Sequence, residues 1–144
     1  MSKTQTDQYQ TEAVECVVLD TFLASRFSEQ FVGLIKIDVE GFELDVLQGL
    51  EQTVARDRPI LYLEADRIEE TKEVMRWLFA RGYRLWWHTP RLYNPDNFRR
   101  APNSEAAGNT LSINVLAIHS DISVAVQDLV PIDYPQAHPI VLRK

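Results

Sequence analysis

Asp38, Glu40 and Glu43 fall close together in the stretch LIKIDVEGFELDVLQGL, residues 34–50, and Glu64 and Asp66 follow in PILYLEAD. Carboxylates gathered where an apolar run gives way to a helical pattern can take a proton from a hydroxyl, or hold an amine, a sugar hydroxyl or a divalent cation. The same residue types also serve plain architecture. Gly41 suits a tight strand-to-helix turn, Glu40 and Glu43 suit free helix amides and the helix dipole, and Asp66 suits a cap. His88 and His119 close two apolar runs. Neither sits in H-E-x-x-H or in a signature holding a nucleophile, so a structural role is the commoner outcome for both.

Positioning these side chains requires strands and helices in alternation. Short apolar, β-branched and aromatic runs at Val14 to Asp20, Gly33 to Val39, Pro59 to Ala65, Tyr83 to His88 and Leu111 to His119 read as strands. Between them, Leu44, Leu47, Leu50 and Val54 recur at helical spacing. A second helix carries Val74, Met75, Leu78 and Phe79, with Asp66 and Glu69 as a capping box and Gly82 as its end. A weaker helix, TFLASRF, follows Asp20, whose carboxylate suits the amides at its start. The fold class is therefore α/β with a mostly parallel sheet. Ligands of such sheets bind beyond the carboxyl ends of the strands, so adjacency of the runs ending at Asp38 and Glu64 puts their acids on one rim.

Residues 1–13 read as a disordered or extended leader, 14–119 as one domain, and 120–144 as an extended tail in which prolines oppose regular structure. The run HTPRLYNPDNFRRAPNSEAAGNT reads as a long loop. Within it, Arg91, Arg99 and Arg100 suit a phosphate or carboxylate as well as plain solvent. Asn94 and Asn97 suit turns, while Asn114 could reach substrate hydroxyls. Adjacent Trp86 and Trp87 must face opposite ways on a strand, one into the core and one outward.

With 15 basic and 21 acidic residues among 144, the formal charge is −6, which disfavours a sequence-independent grip on nucleic acid. Cys16 is the single cysteine, excluding an intrachain disulfide and a cysteine zinc cluster, and a reducing, cytoplasmic setting fits. No run has the length or composition of a membrane span, and the first residues lack a signal pattern.

The runs VVLDTFL, LIKIDVEGFELDVLQGL, RPILYLEAD, YNPDNF and SINVLAI together resemble the C-terminal half of the FkbM family of methyltransferases. The resemblance implies a Rossmann-like, class I methyltransferase sheet, S-adenosylmethionine as methyl donor, and O-methylation of a sugar, lipid or natural-product hydroxyl. It aligns Gly33–Val39 with the fourth strand of that sheet and Pro59–Ala65 with the fifth. Leu111–His119 aligns with an antiparallel seventh strand slipped between the fifth and sixth. Asp38 then matches the acid bordering donor and acceptor, so it is the residue assigned to both cofactor and catalysis, with Glu40, Glu64 and His88 supporting. No metal site is assigned, because no complete ligand set is present. The glycine-rich turn that cradles the donor in this class has no counterpart: none of the five glycines is spaced G-x-G. The fold is thus expected to be incomplete, the chain a fragment inactive alone. A non-catalytic interaction module is the alternative, and a carboxylate-rimmed hydrolase with a metal at Asp38 and Glu64 a further one. The run Val14–Asp20 is expected to pair with Gly33–Val39 inside one chain and so cover the strand edge left open, with a homodimer hiding the remaining apolar surface; neither nucleic acid nor membrane is expected as a partner.

Overall fold

The strand runs alternate between a buried and an open face, and the helices follow from what the buried face needs. The computed structural model describes residues 12–100, 102, 110–135 and 138–139. In chain order these form α1 (Leu19–Arg26), β1 (Leu34–Ile37), α2 (Glu43–Gln48), α3 (Glu51–Asp57), β2 (Ile60–Glu64), α4 (Ile68–Phe79), β3 (Tyr83–His88), β4 (Asn114–His119) and β5 (Val130–Ile132). One five-stranded sheet has the order β1-β2-β4-β3-β5. β1 and β2 are parallel, while β4 runs antiparallel to both of its neighbours and β5 antiparallel to β3, so one of the four pairings is parallel and the sheet is mixed, not mostly parallel as expected, because β4 inserts and β5 adds in the opposite direction. The expected antiparallel insertion of Leu111–His119 between the second and third of these strands is what the structure shows.

Ile37, Leu61, Leu63, Leu85, Trp87, Val115 and Ala117 share a buried cluster with Leu47, Val54, Val74, Met75 and Leu78 of the helices. Fully burying each of these larger aliphatic groups is worth roughly 1.5–3 kcal/mol. The period-two partner residues lie on the opposite face. Lys36, Tyr62, Leu116, Trp86 and Pro131 form one cross-strand row, and Glu64, Asn114 and His88 the next. Trp87 is buried and Trp86 half-exposed, as alternation requires.

Several further sequence expectations change. Val14 to Val18 is exposed chain outside any strand, and the run Val14 to Asp20 ends in α1. Its β propensity finds no ladder, and the expected pairing with Gly33–Val39 does not form: among the described residues β1 pairs only with β2 and is an edge strand, since propensity without cross-strand packing does not make a strand. The helix expected across 42–57 is two helices, broken at Gly49 and Leu50. Asp20 caps the second of them, not its own helix: its carboxylate accepts from the Gln52 and Thr53 amides at 2.7 and 2.9 Å and from Thr53 Oγ1 at 2.6 Å. The Asp66–Glu69 capping box does not form. Arg67 occupies the N-cap position without a side-chain cap, leaving Asp66 one residue too early.

The tail changes too, because it contributes β5 despite Pro131. β5 is an edge strand, where a missing amide can face solvent. Beyond it, His138 is fully buried, with Nε2 2.8 Å from the Ala65 carbonyl and its ring edge-on to Trp87 at 5.2 Å. Most of the leader assigned to residues 1–13 lies outside the described residues.

Candidate active site at the carboxyl rim of the sheet

β1 and β2 end side by side, with Ile37 opposite Leu63, so the residues that follow, Asp38 and Glu64, project from the same rim. Carboxylate oxygens of Asp38, Glu40 and Glu64 all lie within 4.8 Å of one another. The turn between β1 and α2 creates this arrangement. Glu40 and Gly41 both have positive φ, 55° and 104°, in the left-handed region where glycine is at ease and glutamate is uncommon. Buried Glu43 fixes the turn from inside, its Oε1 accepting from the amides of Gly41 at 3.1 Å and Val39 at 3.4 Å. This is the architectural role that acids at a helix start commonly play.

The two facing acids are driven apart in acidity. The Asp38 carboxyl is held below the usual range, first by a hydrogen bond from Lys36, then by one from Glu64, then by the charge of Lys36; Lys36 Nζ is 3.0 Å from Asp38 Oδ2. Glu64 is pushed above the usual range, first by burial, then by Asp38 and by the charges of Asp66 and Glu40. One of its oxygens, Oε2, is buried without a hydrogen-bond partner among the described residues. The pair therefore favours a proton on Glu64 and the negative charge on Asp38. Glu40 is exposed and pairs with Arg67 Nη2 at 3.1 Å.

His88 stands apart from this cluster. It is two strands from Glu64, with Asn114 between them, a spacing of roughly 10 Å in a sheet. Its Nδ1 shares a 2.7 Å hydrogen bond with the Tyr62 hydroxyl, whose own acidity is weakened by burial. Asn114 is buried and donates to Ser112 Oγ at 2.9 Å. His119 lies at the other end of β4, beside Tyr83. Asn94 Oδ1 accepts from the Asp96 amide at 2.9 Å, the turn role expected of it.

Lys36, Tyr62 and Arg67 complete the site and went unselected by motif reading. The signal for two of them is period two: Lys36 precedes Asp38, and Tyr62 precedes Glu64, by the two residues that place side chains on one face of a strand. Arg67 carries no comparable mark in the sequence.

S-adenosylmethionine would need backbone amides free to meet its carboxylate and an acid free to meet its ribose. The turn between β1 and α2 spends its Val39 and Gly41 amides on Glu43, and Asp38 is engaged by Lys36 and Glu64, so neither is free for the donor there. Nor is a metal assigned: three carboxylate ligands fall short of the six or more oxygens that hard cations take, and Lys36 and Arg67 already neutralise two of the three acids.

A family model described as Methyltransferase FkbM domain matches residues 2–85, more than half of the chain. The chain belongs to the FkbM methyltransferase family. No curated protein and no solved structure matches it. No helix among the described residues is long and apolar enough to cross a membrane.

Proposed function

We propose that the chain supplies the acceptor side of an FkbM-type O-methyltransferase, on a Rossmann-like sheet, for a hydroxyl of a sugar, lipid or natural product. The observation that carries this reading is the opposed pair at the carboxyl rim: Asp38, made more acidic by Lys36 and Glu64, against Glu64, made less acidic by burial and Asp38. Methyl transfer to oxygen requires that the hydroxyl give up its proton as the new bond develops. Asp38 is the acceptor for that proton. Its neighbour Glu64, the less acidic of the pair, and Lys36 keep the charge on Asp38 and orient its free lone pairs. Glu40, tied to Arg67, and His88, tied to Tyr62, border the space in which a hydroxylated acceptor is held.

The methyl donor in this family is S-adenosylmethionine, and the described residues leave its cradle unprovided. The chain alone is therefore inactive in this reading and acts with a donor-binding part, in a cytoplasmic setting. The second reading, a non-catalytic interaction module, is favoured by one observation: Phe31, Leu34 and Phe42, on and beside edge strand β1, are 72, 64 and 64 % exposed.

Titration of the isotope-labelled chain with methyl glycosides, followed by NMR, separates the two. The enzyme reading expects shifts of the Asp38, Glu64 and His88 signals that disappear in Asp38→Asn; shifts confined to residues 31–42 support the module. Calorimetry with S-adenosylmethionine is expected to show no binding, and micromolar affinity would overturn the assignment of a donor site elsewhere.

A further inference from the structure

At the opposite end of the sheet from the acidic rim, α3, the turn into β3 and the end of β4 enclose a second cavity. It has a volume of about 210 Å³ and is lined by Glu51, Val54, Ala55, Arg58, Arg81, Tyr83 and His119. One side of this lining carries Arg58 and Arg81, paired with the exposed carboxylates of Asp121 and Glu51, and the other is aliphatic. Its construction is specific. Arg58 ends α3 in the left-handed conformation, φ 50°, and reaches Asp121 through Nη1. The remaining guanidinium donors, Nε and Nη2, have no hydrogen-bond partner among the described residues. Arg81 is held flat on the Trp77 ring at 3.7 Å, donates to the Trp77 carbonyl at 3.2 Å, and pairs with Glu51.

His119 adds a ring N–H donor. Its Nδ1 accepts the Asp121 amide at 3.2 Å, which places the ring proton on Nε2. That nitrogen has no partner among the described residues. Tyr83 forms the floor, its hydroxyl given to the Pro59 carbonyl at 3.1 Å and pushed up to about 12 by burial. Three donor-bearing side chains from three elements thus converge on a space whose other wall is the side chains of Val54 and Ala55.

We propose that this cavity binds a small phosphate monoester with a compact apolar body. Two planar guanidinium forks and an imidazole N–H match the several acceptor oxygens of a phosphate better than the two of a carboxylate. The Val54 and Ala55 wall takes the carbon body. Asp121 and Glu51 act as exposed stand-ins for the anion, at 58 and 60 % side-chain exposure, and a bound dianion displaces them at little cost. The site is remote from Asp38 and Glu64, so its occupancy is independent of the acceptor reading.

The test is NMR titration of the full chain with phenyl phosphate, with inorganic phosphate as the companion probe. Saturable shifts at Arg58, Gly82 and His119, with Asp38 and Glu64 signals unmoved, are expected. Arg58→Ala should weaken binding at least about tenfold, as loss of a charge-assisted contact does. Asp121→Asn should strengthen it by roughly two- to fivefold, because the competing carboxylate is gone. Absence of saturable shifts, equal affinity for inorganic phosphate, or weaker binding by Asp121→Asn would each overturn the proposal. The opposite directions expected of the two variants keep a folding defect from imitating the result.

Discussion

Asp38 and Glu64 face each other from the ends of parallel neighbouring strands, the first made more acidic and the second less acidic than an ordinary carboxyl. The asymmetry has a physical source in exposure. Lys36 stands beside Asp38, whereas one oxygen of Glu64 is buried with no donor before it.

Glu64→Gln should stabilise the fold at neutral pH. Because the folded-state value of Glu64 is raised, its favourable contribution is complete below the unfolded carboxylate range and is lost as pH rises through the folded value. The amide imitates the protonated form at every pH. Urea unfolding should therefore show the variant more stable at neutral pH and equal to the parent well below the ordinary carboxylate range. Asp38 works in the other sense, contributing stability above the unfolded range that is lost as pH falls through its lowered folded value. Asp38→Asn should also bring the Glu64 carbon-13 titration part of the way back toward normal, the part due to burial remaining.

Asp20→Ala should cost about 1–2 kcal/mol in chemical denaturation, since it removes the acceptor for two amides and a hydroxyl at the start of α3. Thr53→Val, which removes only the hydroxyl partner, should cost less, about 1 kcal/mol.

His138→Ala should cost roughly 2–4 kcal/mol, combining a cavity beside Trp87 with a lost hydrogen bond to Ala65. Trp87 fluorescence should change with it. A variant as stable as the parent would show that the tail does not hold the rim of β2.

The β1 edge is expected to recruit a second copy, so light scattering at micromolar concentration should report a dimer. Leu34→Lys places a charge on that exposed edge and should return the chain to a monomer with unchanged circular dichroism. A monomeric parent would remove the homodimer from the proposal.

The sequence patterns that survived folding are those supported by a neighbour of the right kind. Gly33–Val39, Pro59–Ala65, Tyr83–His88 and Leu111–His119 all contain strands, because alternate residues there bury against α2, α3 and α4. Val14–Asp20 carries the same residue types and forms no strand, since no ladder receives it. The acid triad was legible as a constellation because two parallel strands must end together. Arg67 and His138 were not, because each reaches its partner across the chain, through contacts that leave no periodic trace: Arg67 with Glu40 and His138 with Ala65. The helix break at Gly49 was hidden by an apolar spacing that continues through Leu50 and Val54 on either side of it.

The place of β4 also sets an order of events during synthesis. Residues 114–119 emerge last of the three central strands, yet they lie between β2 and β3. Until they arrive, Leu61 and Leu63 belong to the β1–β2 pair and Leu85 and Trp87 to β3 alone, each with a raw inner edge. On a ribosome adding about 5–20 residues per second, the interval from β3 to β4 is a matter of seconds. For that time the nascent chain depends on whatever shields strand edges in the cell; the antiparallel strand then joins the two parts, and β5 follows at the outer edge.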